Sequence, residues 1–246
     1  MKNPFNLTGK TILVTGASSG IGRGIAVACA GMGAKVIITG RDQLRLQSTL
    51  SSLEGEGHEA IQADLTDKDQ RACLVNALPE LDGLAQCAGI GNRTPCKLIA
   101  EQDIREVMQP NTEAPILLQS ELLCAKKIRK DASIVYIASA AATMPAQGNA
   151  LYSASKAAVV AYAKCLAQEL APRSIRVNCI SPAMVWTNLA LVGATEEQLH
   201  EAEKAYPLKR YGQPTDVANL AVYLLSDASA WMTGSNIEIT GGAQML

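Results

Sequence analysis

Short apolar runs, rich in β-branched residues, alternate along this chain with longer amphipathic stretches. The apolar runs predict seven β-strands, at residues 11–15, 35–39, 60–63, 84–87, 133–137, 176–180 and 236–240. A helical period predicts α-helices near residues 20–32, 42–53, 67–77, 101–127, 151–171 and 214–226. Strands that alternate with helices usually form a parallel sheet through right-handed crossovers. We therefore expect an α/β protein with a single-domain Rossmann fold, in which helices cover both faces of a doubly wound, seven-stranded parallel sheet.

The alternation is interrupted at residues 183–213, which predict a substrate-loop insertion. No repeat, low-complexity stretch or charged linker divides the 246 residues, so we expect one domain over residues 1–246. A long irregular connection in a compact domain is usually a lid or a binding loop. Met184 and Trp186 could line a substrate pocket there, but a loop that folds its own apolar side chains inward would show the same pattern.

A glycine-rich segment, Thr15 to Gly22, follows the first predicted strand and precedes the first predicted helix. Its glycines leave room for a tight turn and for a dinucleotide at a helix N-terminus, where amides and the helix dipole favour pyrophosphate. A purely structural turn would look the same, although the position between strand and helix favours the phosphate site. The residues expected to bind the cofactor here are Gly16, Ser18, Ser19, Gly20, Ile21 and Gly22.

The end of the second predicted strand bears on the choice between the two nicotinamide cofactors. An NAD-binding chain would place an acid there for the adenosine ribose, whereas this sequence has Gly40 followed by Arg41. An arginine can pair with a 2′-phosphate, so NADP(H) is the preferred expectation and NAD(H) the alternative. In the other interpretation Arg41 is a solvated loop residue and Asp42 caps a helix.

Tyr152 and Lys156 stand four residues apart in a predicted helix, and Ser139 lies thirteen residues upstream of the tyrosine. The spacing puts the first two side chains on one helical face. An ammonium beside a phenol lowers the phenol pKa, so the tyrosine could exchange a proton with a carbonyl or an alcohol near neutral pH. Singly, each residue could be structural: a packed serine, a helix aromatic, a solvated lysine. Together with the glycine-rich segment they indicate a carbonyl-reducing enzyme.

Over essentially its whole length the sequence resembles the short-chain dehydrogenase/reductase family. The matching residues occur in the family's order: Thr15–Gly22, Asp64, Ala88–Gly89, Asn111, Ser139, Tyr152, Lys156, Ser181–Pro182, Thr187 and Gly241–Gly242. The resemblance implies NAD(P)-linked interconversion of a ketone and a secondary alcohol. It implies a catalytic tetrad of Asn111, Ser139, Tyr152 and Lys156, in which the lysine orients the nicotinamide ribose and passes protons toward water near the asparagine.

The resemblance also assigns residues to the rest of the cofactor and to the substrate. Asp64 and Leu65 would border the adenine, and residues 182–187 would lie along the nicotinamide. The other expected cofactor contacts are Cys87, Ala88, Gly89, Tyr152, Lys156, Pro182, Val185 and Thr187. Met144 and Gln147 are expected to face the substrate from their position between Ser139 and Tyr152.

Three positions depart from the family's pattern. Gln86 and Cys87 stand where the family usually has two asparagines, and Ala183 stands where a glycine normally follows the proline. Pro110, directly before Asn111, lacks an amide donor and is expected to kink the predicted helix. In the family the backbone carbonyl of the tetrad asparagine holds a water of the proton relay, so a kink there could adjust that relay or have no effect.

Among family members the chain looks most similar to bacterial 3-oxoacyl-[acyl-carrier-protein] reductases, which implies reduction of a 3-oxoacyl thioester. The alternatives are a sugar, polyol or hydroxysteroid dehydrogenase and, from another class, a non-catalytic nucleotide-sensing scaffold. The family usually assembles as homotetramers, so a homotetramer or homodimer is expected. A basic set could dock an acidic acyl carrier protein, or could simply be solvated cations near a helix C-terminus. Its members are Lys126, Lys127, Arg129, Lys130 and Arg173.

Charge and composition narrow the remaining classes of partner. The formal net charge is −1 and the basic residues are scattered, so neither nucleic acid nor a membrane surface is expected as a partner. The N-terminus lacks the apolar core of a signal peptide, so a cytoplasmic protein is expected. The 7 cysteines lack a Cys-x-x-Cys spacing and the two histidines are isolated. Buried free thiols and no metal site are therefore expected.

Overall fold

The computed structural model describes residues 3–191 and 195–243. The strands are β1 (Thr11–Thr15), β2 (Lys35–Gly40), β3 (Glu59–Gln62), β4 (Leu81–Gln86), β5 (Ile128–Ile137), β6 (Arg176–Pro182) and β7 (Asn236–Ile239). They form a 7-stranded sheet in the order β3-β2-β1-β4-β5-β6-β7, in which each neighbouring pair is parallel. The predicted Rossmann-type sheet is confirmed. Residues 1–2 and 244–246 of the expected domain, and 192–194 of its loop, lie outside the described ranges.

Helices cover both faces of this sheet. They are α1 (Gly20–Gly31), α2 (Gln43–Leu50), α3 (Lys68–Ala77), α4 (Glu101–Met108), α5 (Ala114–Cys124), α6 (Ala150–Leu170), α7 (Glu196–Glu203) and α8 (Pro214–Leu225). Along β1, Ile12 and Val14 are buried with α1, α2 and α8, whereas Leu13 is buried with α3, α5 and α6. Side chains of a strand alternate between faces, so a sheet covered on both sides needs continuous apolar runs. This requirement is why continuous apolar runs in the sequence predict the strands.

The long helix expected at residues 101–127 is interrupted where Pro110 was expected to kink it. A π-helical turn spans Gln109–Glu113 and separates α4 from α5, and the amide of Ala114 donates across it to the carbonyl of Gln109. Pro110 cannot donate a hydrogen bond within the helix, and π-helical turns are a common way to absorb such a break. The turn carries Asn111, which is buried.

The expectation of buried thiols is wrong for most of the cysteines. Cys29 and Cys179 are buried and Cys87 is half-buried. Four cysteines are exposed on the described surface: Cys73, Cys96, Cys124 and Cys165. An apolar neighbour in sequence is not a neighbour in space, because successive helical residues point to different sides. No helix within the described ranges is long and apolar enough to cross a membrane.

Candidate active site

The carboxyl ends of the strands open into a cavity of about 660 Å³. The segments that follow β1, β2, β3, β4, β5 and β6 all contribute to its walls. The segment after β6, residues 183–191 and 195–213, is the lid, and it forms one side of the cavity. Ligand sites of parallel α/β sheets lie at this edge, because the loops between strands and helices converge there. The cavity extends from the glycine-rich segment at one end to Met144, Met184 and Tyr206 at the other.

The glycine-rich segment forms a tight cradle against its neighbours. Gly16 and Gly20 have φ values of 63° and 56°, a region that glycine adopts without strain. A side chain at Gly22 would put its Cβ 2.4 Å from the carbonyl oxygen of Gly16, and one at Gly16 would reach within 2.8 Å of Ala88 Cα. The N-cap Ser19 makes no side-chain capping bond to α1. The glycines therefore leave the backbone at the start of α1 without side chains in front of it, and a helix N-terminus of this kind suits a pyrophosphate. The six residues expected here all line the cavity: Gly16, Ser18, Ser19, Gly20, Ile21 and Gly22.

Arg41 also lines the cavity, at the end of β2. A Cβ on Gly40 would make only an ordinary contact there, 3.4 Å from the Ser18 hydroxyl oxygen. Asp42 caps α2 by accepting from the Arg45 amide at 3.0 Å, as the alternative interpretation of this segment had it. Arg45 was missed by the sequence reasoning, although it is the next cation along the chain and lines the same part of the cavity.

The middle of the cavity and the side expected to hold the adenine are lined by Asp64, Leu65, Cys87, Ala88 and Gly89. The buried guanidinium of Arg71 donates to the Leu65 carbonyl at 2.9 Å and pairs with Glu121, which fixes this wall. Gly89 leaves room for the catalytic candidates, because a Cβ on it would lie 3.0 Å from Asn111 Oδ1 and 3.3 Å from Lys156 Nζ.

Tyr152, Ser139 and Lys156 converge beside the middle of the cavity. Tyr152 and Lys156 come from α6, and Ser139 follows β5. The Lys156 ammonium is buried, donates to the Ile137 carbonyl at 2.9 Å and lies 5.9 Å from the centroid of the Tyr152 ring. Ser139 Oγ accepts from the Ala141 amide at 3.1 Å. A phenol, a hydroxyl and a cation thus lie together at one wall.

Burial shifts the pKa values of Tyr152 and Lys156. The expectation that the pKa of Tyr152 is lowered is therefore corrected. Desolvation raises the pKa of Tyr152, and a hydrogen bond with Ser139 acts in the opposite direction. Burial also lowers the pKa of Lys156 from its ordinary value to about 8. A lysine charge several ångströms from the phenol does not offset the loss of water around the phenolate.

Asn111 is held by a closed set of side-chain hydrogen bonds. Its Oδ1 accepts from the Ile90 amide at 2.7 Å, and its Nδ2 donates to the Ile90 carbonyl at 2.9 Å and to Ser155 Oγ at 3.1 Å. Ser155 Oγ in turn donates to the Tyr152 carbonyl at 2.7 Å. The side chain therefore ties the loop after β4 to the helix of Tyr152. Ser155 and Ile90 were not identified from the sequence, because they act through non-local contacts.

The expected contacts Pro182, Val185 and Thr187 line the cavity beyond Lys156, as do Met144 and Met184. Gln147 does not: it is exposed and lies outside the lining, so its contact with a substrate finds no support in this cavity and stays a prediction. The loop at 146–149 turns its side chain toward solvent. The sequence reasoning missed Asn92 and Arg93, which follow β4 and also line this end.

Trp186 likewise does not line the main cavity. Its ring packs 4.6 Å from His200 and 5.7 Å from Tyr211, and its Nε1 donates to Glu203 Oε2 at 2.9 Å. Glu203 also accepts from the Tyr211 amide at 3.1 Å and contacts His200 Nδ1 at 2.9 Å. These hydrogen bonds lower the pKa of Glu203 to about 2, so its carboxylate stays charged and joins α7 to both ends of the lid. The alternative, in which the loop folds its own apolar side chains inward, holds for this tryptophan.

The basic set lies at the other edge of the sheet from the cavity, around the start of β5. Lys127 donates to the Leu78 carbonyl, Arg129 pairs with Glu80 and Asp82, and Arg173 donates to the Ile128 carbonyl. Three of the five cations are therefore engaged in local contacts rather than simply solvated, and docking of an acyl carrier protein by this set stays a prediction. Within one subunit they do not border the cavity.

Comparison with known proteins places these features in a family. The family model described as "Enoyl-(Acyl carrier protein) reductase" matches residues 16–244. The 3-oxoacyl-[acyl-carrier-protein] reductase of Rickettsia felis is 33% identical over 242 residues, which cover 98% of this chain and 100% of that protein. Nodulation protein G of Rhizobium meliloti is 33% identical over 251 residues, with 98% and 100% covered.

Solved structures agree with the sequence comparison. A dehydrogenase/reductase from Sinorhizobium meliloti 1021 has a TM-score of 0.89 and 33% identity, with 97% of this chain and 96% of that chain covered. A Beutenbergia cavernae protein described as an NAD(P)-dependent gluconate 5-dehydrogenase, with NADP bound at low occupancy, has a TM-score of 0.87, 34% identity and 98% of each chain covered. Full-length matches at this identity, together with the parallel sheet and its carboxyl-edge cavity, show that the chain is an oxidoreductase that belongs to the short-chain dehydrogenase/reductase family.

Proposed function

We propose that the protein is an NADPH-dependent reductase of a 3-oxoacyl thioester, with NADH as the weaker cofactor. The observation that carries this proposal is the convergence of Tyr152, Ser139 and Lys156 on the cavity that the glycine-rich segment enters. The similarity to 3-oxoacyl-[acyl-carrier-protein] reductases over 98% of the chain supports the substrate class. A bound nicotinamide would supply the hydride for the substrate carbonyl carbon.

Tyr152 and Ser139 are proposed to act on the substrate oxygen. The phenol, kept protonated by burial, donates a proton to the oxygen as negative charge develops on it. The Ser139 hydroxyl donates a hydrogen bond to the same oxygen, an interaction that strengthens in the transition state. Because the amide of Ala141 already donates to Ser139 Oγ, the hydroxyl proton is directed away from that amide.

Lys156 and Asn111 are proposed to return a proton to Tyr152. A lysine whose pKa is about 8 exchanges its proton near neutral pH more readily than an exposed lysine. The Asn111 side chain is fully engaged, so its available group is the backbone carbonyl. That carbonyl is proposed to accept from a relay water, as the family resemblance implies, and Lys156 is proposed also to hold the nicotinamide ribose.

The preference for NADPH is proposed to come from Arg41. Its side chain lines the adenosine end of the cavity, and Gly40 supplies no carboxylate for the ribose hydroxyls. An arginine pairs well with a 2′-phosphate. The relative with NADP bound supports the same choice. The proposed acyl carrier partner, the homotetramer or homodimer and the cytoplasmic location follow from the resemblance to bacterial relatives.

A second candidate is oxidation or reduction of a sugar acid. One solved relative, 34% identical, is described as a gluconate 5-dehydrogenase. Arg93 is exposed, lines the substrate end and has no carboxylate within 4.0 Å among the described residues. A free guanidinium of this kind would suit a substrate carboxylate.

The two candidates are separated by steady-state turnover with NADPH and NADH, using acetoacetyl thioester, 5-ketogluconate, diketones, polyols and hydroxysteroids. The proposal expects the thioester to give the highest kcat/KM with NADPH. A higher kcat/KM for the sugar acid, lost in Arg93→Gln, would favour the second candidate. Cofactor binding without turnover on any ketone would favour a nucleotide sensor.

A further inference from the structure

The adenosine end of the cavity holds a carboxylate beside the two arginines. Arg41, Asp42 and Arg45 all line it. The carboxylate of Asp64 lines the adenine side, where its Oδ1 accepts from the amide and hydroxyl of Thr66. A 2′-phosphate carries a charge of roughly −1.5 to −2 at neutral pH, so each nearby carboxylate opposes its binding. What neutralises Asp42 therefore matters for the choice of cofactor.

Arg45 engages both oxygens of Asp42. Its amide donates to Oδ1 at 3.0 Å and its Nε donates to Oδ2 at 2.7 Å. The same contacts hold the pKa of the Asp42 carboxyl below its usual range, so the group is charged at neutral pH. The amide bond alone would cap α2, since a helix N-cap needs only one side-chain acceptor. The guanidinium adds a positive charge at the second oxygen.

Loss of that guanidinium would change the site in two ways. The negative charge of Asp42 would face a 2′-phosphate with only Arg41 to balance it. Its Oδ2 would also become free to accept a hydrogen bond from a ribose hydroxyl, which is how acidic residues near this position favour NAD. Both changes would weaken the binding of NADPH, and neither would weaken the binding of NADH.

We propose that Arg45 is a determinant of cofactor selectivity that acts through Asp42, by neutralising and occupying a carboxylate that would otherwise repel a 2′-phosphate and accept a ribose hydroxyl. Arg45 is thus a positioning residue, whereas Arg41 is the residue proposed to contact the phosphate. The inference rests on the proposed function, because it concerns how the same cavity distinguishes NADPH from NADH.

The test is a double-mutant cycle on the purified protein, with dissociation constants for NADPH and NADH measured by fluorescence titration. The variants are Arg45→Gln, Asp42→Asn and the two combined. Asparagine remains a good N-cap, so Asp42→Asn preserves the start of α2. Arg105→Gln is the matched control: it removes an arginine that pairs with Glu101 on the exposed face of α4, outside the cavity.

Arg45→Gln is expected to raise the dissociation constant of NADPH about tenfold and to leave that of NADH within about twofold. The tenfold change corresponds to about 1.4 kcal/mol in the difference between the two binding free energies. In the Asp42→Asn background the same substitution should change NADPH affinity by less than about threefold, because no charge remains to be neutralised. The loss should also shrink at high salt, since both side chains are partly exposed. Arg105→Gln should change neither constant.

Three results would overturn the inference: no loss of NADPH affinity in Arg45→Gln, an equal loss for both cofactors, or a tenfold loss that persists in the Asp42→Asn background. The last would mean that Arg45 contacts the phosphate itself. A wild-type preference for NADH would instead refute the cofactor assignment of the proposed function. The cycle would still decide the inference, which requires Arg45→Gln to lower the NADPH-to-NADH affinity ratio from any starting value.

Discussion

Lys156 is expected to make the folded protein less stable than a neutral side chain would, and Lys156→Met tests this. The lysine is buried and its pKa is about 8, compared with an ordinary value of 10.5. The unfolded chain therefore binds more protons than the folded one, and stability should rise with pH as the buried ammonium is released. Linkage with these two values gives an unfavourable contribution of about 3 kcal/mol at pH 7 and about 2 kcal/mol at pH 9.

Methionine has a similar length and carries no charge. Lys156→Met also removes the hydrogen bond to the Ile137 carbonyl, a loss of about 1–3 kcal/mol that does not depend on pH in this range. The free energy of unfolding of the variant should therefore equal or exceed that of the wild type at pH 7. Between pH 7 and pH 9 the free energy of unfolding of the wild type should rise by about 1 kcal/mol relative to that of the variant.

The measurement is urea unfolding of cofactor-free protein at pH 6, 7, 8 and 9, with Lys164→Met as the control for an exposed lysine of the same helix. The variant should have no carbonyl-reducing activity at any of these pH values. A difference in unfolding free energy that stays constant with pH, or that changes in the opposite direction, would refute the reasoning about burial.

Three further outcomes are expected. Ser139→Ala removes the hydrogen bond that lowers the pKa of Tyr152, so the pH profile of kcat for alcohol oxidation should move to higher pH. The value of kcat should also fall about 100-fold, and an unmoved pH profile would contradict this role of Ser139. Gly22→Ala places a Cβ 2.4 Å from the Gly16 carbonyl oxygen, so cofactor binding should be lost in an NADPH titration. The free energy of unfolding should fall by more than about 2 kcal/mol, which thermal melts would show. Glu203→Ala should loosen the lid and raise the KM of the ketone more than it changes kcat, with partial recovery in Glu203→Gln; an unchanged KM would exclude a role of the lid in substrate binding.

The sheet and the glycine-rich cradle could be predicted from sequence because their signals are local. A strand that is buried on both faces must be apolar throughout, and the cradle needs glycines at fixed positions after β1. The break at Pro110 was equally local, since a proline removes one helical hydrogen bond wherever it stands. Helix α7 was not predicted, because residues 183–213 were treated as irregular. Thr195 and Gln198 form a capping box at its start, and this sequence pattern indicates a helix.

The position of Trp186 and the direction of the Tyr152 pKa could not be predicted from sequence, because they depend on contacts between distant parts of the chain. The position of Trp186 is set by Glu203 and Tyr211, which lie 17 and 25 residues further on. The direction of the Tyr152 pKa follows from how deeply α6 is buried against the sheet, which a spacing of four residues does not reveal. The pairing of Arg45 with Asp42 is local, and the sequence could have suggested it, but its proposed relevance appears only once the structure shows both residues in the lining of the cavity.

The most direct test of the account is NADPH oxidation with acetoacetyl thioester by the wild type and by Tyr152→Phe, with NADH measured in parallel. The account expects NADPH-selective turnover by the wild type. It expects Tyr152→Phe to lose at least about 100-fold in kcat while binding NADPH as tightly as before, because the phenol transfers a proton and does not hold the phosphates. Turnover that survives in Tyr152→Phe, or a wild type that binds NADPH but reduces no ketone, would contradict the central claim.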